Sequence, residues 1–320
     1  MAYTAGDTIL DDEYNAFANN SSSPFGMNHI GGTGSGIYGL GESAISAVSA
    51  GATVTASQWN TLFTAMSTVA GHTGDSLTST AAVSSGDAIA IKSALATDLA
   101  TLAASVAGGC TGTSALSTSS TLQNPQSSAN WYGSFTTEVS ATFANADKMR
   151  HFFNAGGKIR IDPIRIGNGA GSATGKDNEW DAIYNAIGNF DIAATTCSRS
   201  GSGETQTTFA NTTGFHDLGT GYTTLLHITS DTYPYTSNSC KIEAKLDAAV
   251  GTAVTITVKI TSNDGASDFT YTSGNLSGQG TTNYRNGQHE HRLISIDTTT
   301  ASLTNAHAPS STATVSNTTS

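Results

Sequence analysis

The chain has 320 residues, enough at roughly 100–200 residues per domain for two or three domains and a sizeable core. Only 12% of residues are charged, against an average of about 25%, while 40 serines and 50 threonines supply a surface of hydroxyls, and the formal net charge is −11. Low charge argues against a disordered chain, the acidic balance gives phosphates no electrostatic footprint and so excludes a nucleic-acid partner, and no apolar run approaches the ~20 residues of a membrane helix.

Met1-Ala2-Tyr3-Thr4 begins neither a basic nor an apolar stretch, so no secretory signal is expected and synthesis in the cytoplasm follows. Residues 1–91 hold seven acids and no Lys or Arg, which reads as an acidic, Gly-rich region that docks on a neutral or basic partner or carries a solvated acidic face. Asp11 and Asp12 can cap a short helix with Tyr14 and Phe17 on one face. Gly31–Gly41 reads as a loop held by its neighbours. Thr55 and Gln58 form a capping box, behind which Trp59, Leu62, Phe63 and Met66 make an apolar stripe that Gly71 is expected to stop. Asp87 opens a third helix in which Ile91, Leu95, Leu99, Leu102 and Val106 recur at helical spacing until Gly108-Gly109.

Residues 109–130 are Ser/Thr-rich and read as a linker. Beyond them Phe135, Thr137, Val139, Ala141 and Phe143 alternate as in a half-buried strand. A short helix capped by Asn145 carries Met149, Phe152 and Phe153 inward, and Asn154-Ala155-Gly156-Gly157 turns the chain into a strand over 158–166. Pro163 predicts a bulge or an edge position there, after which Ile164 and Ile166 continue the apolar face. Asp177 and Asn178 precede a helix with Trp180, Ile183, Tyr184 and Ile187 on one side. Alternation over 240–246 and 254–260 predicts an antiparallel pair with one wet face, a strand at 292–296 is expected in the same sheet, and the tail is expected to fray. The fold class is therefore α+β. A helical, Gly-rich N-terminal region over 1–108 precedes the linker, an antiparallel β-sandwich-like domain with short helices over 131–308, and a flexible tail over 309–320.

Chemistry-bearing patterns are sparse. Gly34-Ser35-Gly36-Ile37-Tyr38-Gly39 matches G-x-G-x-x-G but has no strand before it and no βαβ pattern around it, so it reads as a structural loop rather than a dinucleotide site. His289 and His291 share one face of a strand, with Ile294 and Ile296 on the opposite, core-facing side. The two imidazoles are a candidate metal pair on a symmetry axis, where a trimer would bring six nitrogens together; the plain alternative is two unliganded histidines on a solvated or subunit-facing strand. Asp177, Glu179 and Asp181 cluster, yet read better as a helix cap and a wet helix face than as a glycosidase pair. Tyr222, Tyr233, Tyr235, Tyr271 and Tyr284 are candidate aromatic platforms for sugar, or packed tyrosines with wet hydroxyls. Asp231, Asp264 and Asp268 lack the spacing of a calcium loop, and Cys110, Cys197 and Cys240 are too few and too far apart for a disulfide framework or a zinc knuckle. No catalytic residues and no cofactor are expected.

Three stretches together carry a resemblance: Tyr3-Thr4-Ala5-Gly6-Asp7-Thr8-Ile9 running into Asp12-Glu13-Tyr14-Asn15; Gly34–Gly41 continuing to Val54-Thr55-Ala56-Ser57-Gln58-Trp59-Asn60-Thr61-Leu62; and Lys148-Met149-Arg150-His151-Phe152-Phe153-Asn154-Ala155-Gly156-Gly157-Lys158-Ile159-Arg160. The chain resembles virion structural proteins of tailed bacteriophages, particularly marine and cyanophage-type ones, over roughly residues 1–75 and 145–190. The resemblance implies a non-enzymatic particle component in the tail (fibre, baseplate or tail tip), a homo-oligomer that contacts other virion proteins and is folded in the host cytoplasm. A glycan-binding host-recognition adhesin and a head-decoration or neck-fibre protein are the alternatives. The stripes of Tyr14, Phe17, Trp59, Leu62, Phe63, Met66, Leu95, Leu99 and Leu102 are expected to bury against neighbouring chains as well as their own. Phe152, Phe153, Asn154, Gly156 and Gly157 form the structural motif.

Overall fold

A computed structural model describes residues 11–34, 36–86, 92–110, 118–127, 133–167, 174–265, 269–272, 280–283, 288–297, 303 and 308–318. The fold is α+β, as expected, and the chain forms two compact units, each assembled from separated stretches: 1–118, 145–157 and 297–308 in the first; 119–144, 158–296 and 309–320 in the second. The short helix and its glycine turn, expected in the β-rich domain, therefore belong with the N-terminal helices.

The first unit holds α1 (Asp11–Ala18), α2 (Ala56–Thr73), α3 (Lys92–Ala107) and α4 (Ala146–Asn154). The capping box forms: Thr55 N–H donates to Gln58 Oε1 at 2.7 Å, and Gln58 N–H to Thr55 Oγ1 at 3.3 Å. The helix runs through Gly71 and stops at Gly74, whose left-handed φ of 80° needs no Cβ and lets its N–H reach Ala70 O. Asp87 and Ile91 lie outside the described residues. Trp59, Leu62, Phe63, Met66, Leu95, Leu99, Leu102 and Val106 close with Tyr14, Ile30 and Leu40 into one core, with Phe17 packed against it. The expected stripes, apart from half-buried Phe17, are covered by their own chain. Leu62, Met66, Leu95 and Leu102 are 0% exposed within a single chain, so nothing of them is left for a neighbour to cover. The core is larger than the helix stripes suggest because the irregular stretch between α1 and α2 contributes Met27, Ile30, Leu40, Ile45 and Val48.

The second unit contains two antiparallel sheets of the expected kind. One has the order β1 (Thr118–Gln123), β12 (Gln288–Asp297), β3 (Lys158–Ile166), β4 (Phe190–Ile192), β5 (Cys197–Arg199). The other runs β13 (Ser310–Thr318), β2 (Gly133–Thr142), β9 (Thr255–Asp264), β8 (Ser239–Leu246), β7 (Thr223–Thr229), β6 (Thr205–Phe209). A hairpin of β10 (Phe269–Thr272) and β11 (Gly280–Asn283) and the helix α5 (Gly175–Ile187) complete it.

Four expectations need correction here. Part of the linker is strand β1, and the tail is strand β13, paired residue for residue with β2 from Ser310↔Thr142 to Thr318↔Ser134; both are hydroxyl-rich strands without the apolar alternation that marks a strand in sequence. The strand over 292–296 pairs with β3 in the five-stranded sheet, not with β8 and β9. Pro163 sits opposite His291 in an unbroken register, past the last residue of β3 that β4 pairs, so it occupies an edge position without a bulge. The buried face consequently runs Ile159, Ile161, Pro163, while Ile164 is half-buried and Ile166 exposed.

Candidate functional site

In the first unit, Asn145 caps α4 by accepting the Lys148 N–H at 2.9 Å. At the far end Gly156 N–H reaches Phe153 O and Gly157 N–H reaches Phe152 O, the paired bonds of a helix closed by a left-handed residue. Gly156 is that residue, with φ 93°, and a Cβ there would press on Gly109 O at 3.2 Å. Phe152 and Phe153 pack edge to face and are buried. The turn holds Asn154 fully buried with Nδ2 donating to Tyr38 O at 2.5 Å, Gly39 O at 3.0 Å and Gly36 O at 3.3 Å. His72 Nε2 of α2 bonds Ala155 O at 2.7 Å, which requires the proton on Nε2. The glycine loop is thus a ligand of the Phe152–Gly157 motif rather than a nucleotide cradle. Its backbone lies along the turn at 28–32, with Gly39 N–H on Ile30 O and Gly41 N–H on Gly32 O.

Three asparagines missed in the sequence do similar work on the irregular stretches. Asn15 exchanges two bonds with the backbone of Val48, Asn28 with Ile45 and Asn60 with Val83, all between 2.7 and 3.0 Å. Each amide presents one donor and one acceptor, so it mimics a neighbouring strand for a single residue. Asn spaced along an amphipathic helix is the only trace of this in the sequence, and it is a weak one.

In the second unit, His289 and His291 face the core and are 0% exposed. The face they share continues through Leu293 and Ser295, which are buried, while Ile294 is half-buried on the other side. The parity read from the sequence is therefore wrong for the two histidines and for Ile294, whereas Ile296 is buried as expected. His289 Nδ1 bonds Tyr184 OH at 2.7 Å; Tyr184 OH and Ser262 Oγ lie 2.8 Å apart; Ser262 Oγ bonds His291 Nε2 at 3.0 Å; and His291 Nδ1 bonds Thr137 Oγ1 at 3.0 Å. Trp180 and Tyr184 stand edge-on to His289, and Phe135 lies 4.2 Å from the His291 ring. Burial pushes His291 down to about 3, so it is neutral at physiological pH. Both of its nitrogens are taken by hydroxyls, and no cluster of three or more His, Cys, Asp or Glu side chains suited to a metal occurs among the described residues. The expected metal pair is instead the middle of a hydroxyl–imidazole seam linking α5, β2, β9 and β12.

The carboxylates have structural partners too. Asp177 is not the cap itself: Thr174 is, and Asp177 closes a capping box with it at 2.7 Å. Asp181 pairs with Arg165. Glu179 is buried near Glu204, whose carboxyl is pushed up by burial and by the Glu179 charge, while Asp231 N–H donates to it at 2.8 Å. Lys176 and Asp264 form a buried ion pair at 3.1 Å. Of the tyrosines, Tyr235 is buried, Tyr233 is 81% exposed, and Tyr222 is half-buried with Lys259 Nζ 4.0 Å and Lys245 Nζ 4.4 Å from its ring. Tyr284, Asp268 and the Tyr271 side chain lie outside what is described.

The wet face of the six-stranded sheet carries a cross-strand ladder of hydroxyls. Ser140 meets Thr257 at 2.9 Å, Thr142 meets Thr255 at 3.0 Å and Thr136 meets Thr261 at 3.3 Å. Between them Lys259 bonds Glu243 at 2.8 Å, and Lys241 approaches it at 3.2 Å. Burial works the other way, but the two lysines outweigh it and hold the Glu243 carboxyl below its usual range. None of the three cysteines forms a disulfide; all are buried, and burial pushes each thiol up to about 12, leaving them unreactive.

Compared with known proteins, the chain matches no family model, no curated protein and no solved structure. No helix among the described residues is long and apolar enough to cross a membrane.

Proposed function

We propose that the chain is a non-enzymatic structural protein of a tailed-bacteriophage virion, a tail component (fibre, baseplate or tail tip) that assembles with copies of itself and with other virion proteins. One observation carries this reading. Parts of the stretches on which the resemblance rests, far apart in sequence, meet in the first unit: Tyr14 stands edge-on to Trp59 at 5.4 Å, and Asn154 grips the backbone of Tyr38 and Gly39, while residues 158–160 belong to the second unit. Contact between Tyr14, Trp59, Asn154 and the glycine loop supports reading those parts of the resemblance as one packed group. His72, His289, His291, Asp177 and Asp181 are engaged in holding the fold, which suits a building block.

An antibody against the chain, applied to purified particles of the virus that encodes it, tests this reading. Label on the tail is the expected result. Label confined to the head or neck would transfer the chain to a decoration role, and absence from particles would overturn the proposal. Tyr233, exposed beside a hydroxyl-rich sheet, favours a glycan-binding adhesin as the second reading, since an uncovered ring can stack on a sugar face. A glycan array with the full chain and with Tyr233→Ala separates the two: binding lost in the variant supports the adhesin.

A further inference from the structure

The two free edges of the six-stranded sheet are built differently. At one end, β6 is five residues long and carries a register shift between Gln206 and Thr208, the kind of irregularity that discourages pairing with another chain. At the other end, β13 runs nine residues, Ser-Ser-Thr-Ala-Thr-Val-Ser-Asn-Thr, in unbroken register with β2 and with no charge and no proline. The strand itself carries no charge, proline or bulge to blunt the edge, and among the described residues only its start is covered, where Ser311 Oγ donates to Leu122 O at 2.8 Å and Gln123 reaches Ser311.

Hydrogen-bond parity shows which groups this edge offers. Phe143 N–H, next after β2, donates to Val254 O, so odd-numbered residues of β2 bond β9 and even-numbered ones bond β13. Through the register, even-numbered residues of β13 face β2, and the backbones of Ser311, Ala313, Val315 and Asn317 turn to the open side. Gln123 reaches Ser311 O at 3.4 Å. From Ala313 onward, no strand among the described residues pairs with this side. Val315 is 45% exposed there, one of the few large apolar side chains left uncovered.

We infer that β13 pairs antiparallel with β13 of a second copy of this chain, about a twofold axis at Thr314. The strand's own sequence selects that register. It sets Val315 against Ala313 of the second copy on the inner face, apolar on apolar. On the wet face it sets Thr312 against Ser316 and Thr314 against itself, so the hydroxyl ladder of β9 and β2 continues across the axis. Because the strand is neutral, no like charges oppose one another, as they would for a charged strand meeting its own copy. The result is a sheet continuous through two chains, joined by main-chain bonds with the side-chain pairs fixing the register.

The full-length chain tests this directly. Sedimentation across about 1–100 µM should give twice the chain mass. Ala313→Pro deletes an N–H that points to the open side and no internal bond, a substitution edge strands tolerate. It should halve the mass with an unchanged circular dichroism spectrum. Thr314→Lys, on an exposed side chain, sets two like charges face to face and should do the same should the proline disturb the strand. Thr314 and its counterpart form a non-hydrogen-bonded pair with Cα atoms about 4.5 Å apart, within disulfide reach. Thr314→Cys should therefore oxidise to a covalent dimer, and Thr312→Cys should not. A wild-type monomer throughout the range, an unchanged mass in both Ala313→Pro and Thr314→Lys, or equal cross-linking at 312 and 314 would overturn the inference. It stands apart from the virion reading: a missing cross-link leaves particle labelling intact, and a chain absent from particles leaves the cross-link intact.

Discussion

The two units solve the same problem, burying enough surface with very little charge, by opposite means. The first closes a core of aliphatic and aromatic side chains and spends its amides and its few buried polar groups on loop backbone: Asn15, Asn28, Asn60 and Asn154 each hold a stretch that has no regular structure, and buried Asp98 takes the Ser79 N–H. The second places polar groups in the middle of its core, where Tyr184, Ser262, His289, His291 and Thr137 bond one another and Lys176 meets Asp264. An apolar core tolerates many sequences of similar volume, whereas a buried polar seam is satisfied in only one arrangement. The comparison teaches that register in the β-rich unit is specified by hydrogen bonds as much as by apolar alternation.

The largest test of that contrast is Lys176→Met. It strands the Asp264 carboxylate in the interior and should cost about 3–5 kcal/mol in denaturant unfolding, while Lys176→Met with Asp264→Leu should recover most of the loss. In the apolar core, Leu62→Ala should cost about 2–5 kcal/mol in the same measurement, with no double variant needed to explain it. Asn154→Ala removes the donor from three carbonyls and should cost about 1–3 kcal/mol, read as lost hydrogen-exchange protection at 39–42 with β2 and β9 unaffected.

A pH titration sharpens the comparison further. The unfolded His291 takes a proton near 6.5 and the folded one near 3, so the unfolded state binds more protons between those values. The contribution of neutral His291 is complete above about pH 6.5 and declines as pH falls towards 3, by at most about 1.4 kcal/mol per unit. His291→Gln should flatten that slope relative to wild type, although His29, His72 and His227, which burial also lowers, keep part of it. The smallest effect is expected on the wet face: Thr257→Val loses the bond to Ser140 and should cost about 0.2–1 kcal/mol.

Legibility in the sequence follows the same division. The Thr55–Gln58 box, the α2 and α3 stripes, the Asn145 cap and the β8–β9 pair were readable because each depends on neighbours three, four or two positions away. Gly71 misled because a glycine inside a helix is tolerated, and only Gly74 took the left-handed conformation. β1 and β13 were hidden because their side chains are hydroxyls on both faces, so no period of two emerges. The sequence misplaces the two histidines because isoleucines outrank them on any apolar scale, although Ile296 is indeed buried; the partners that make the imidazoles welcome inside, Tyr184, Ser262 and Thr137, lie far off in the chain. The extent of burial within one chain is hard to read in the sequence because the loop residues that roof the first core, Ile30, Leu40, Ile45 and Val48, carry no helical spacing.

The helix that completes the first unit is encoded between two strands of the second, and this sets an order on the ribosome. At about 5–20 residues per second, the N-terminal segment emerges seconds before Asn154 exists to grip its glycine loop, and longer still before residues 297–308 arrive. Until then His72 lacks Ala155 and the Gly39 carbonyl lacks its donor, so the newborn N-terminal helices wait for a partner that only a later stretch of their own chain supplies.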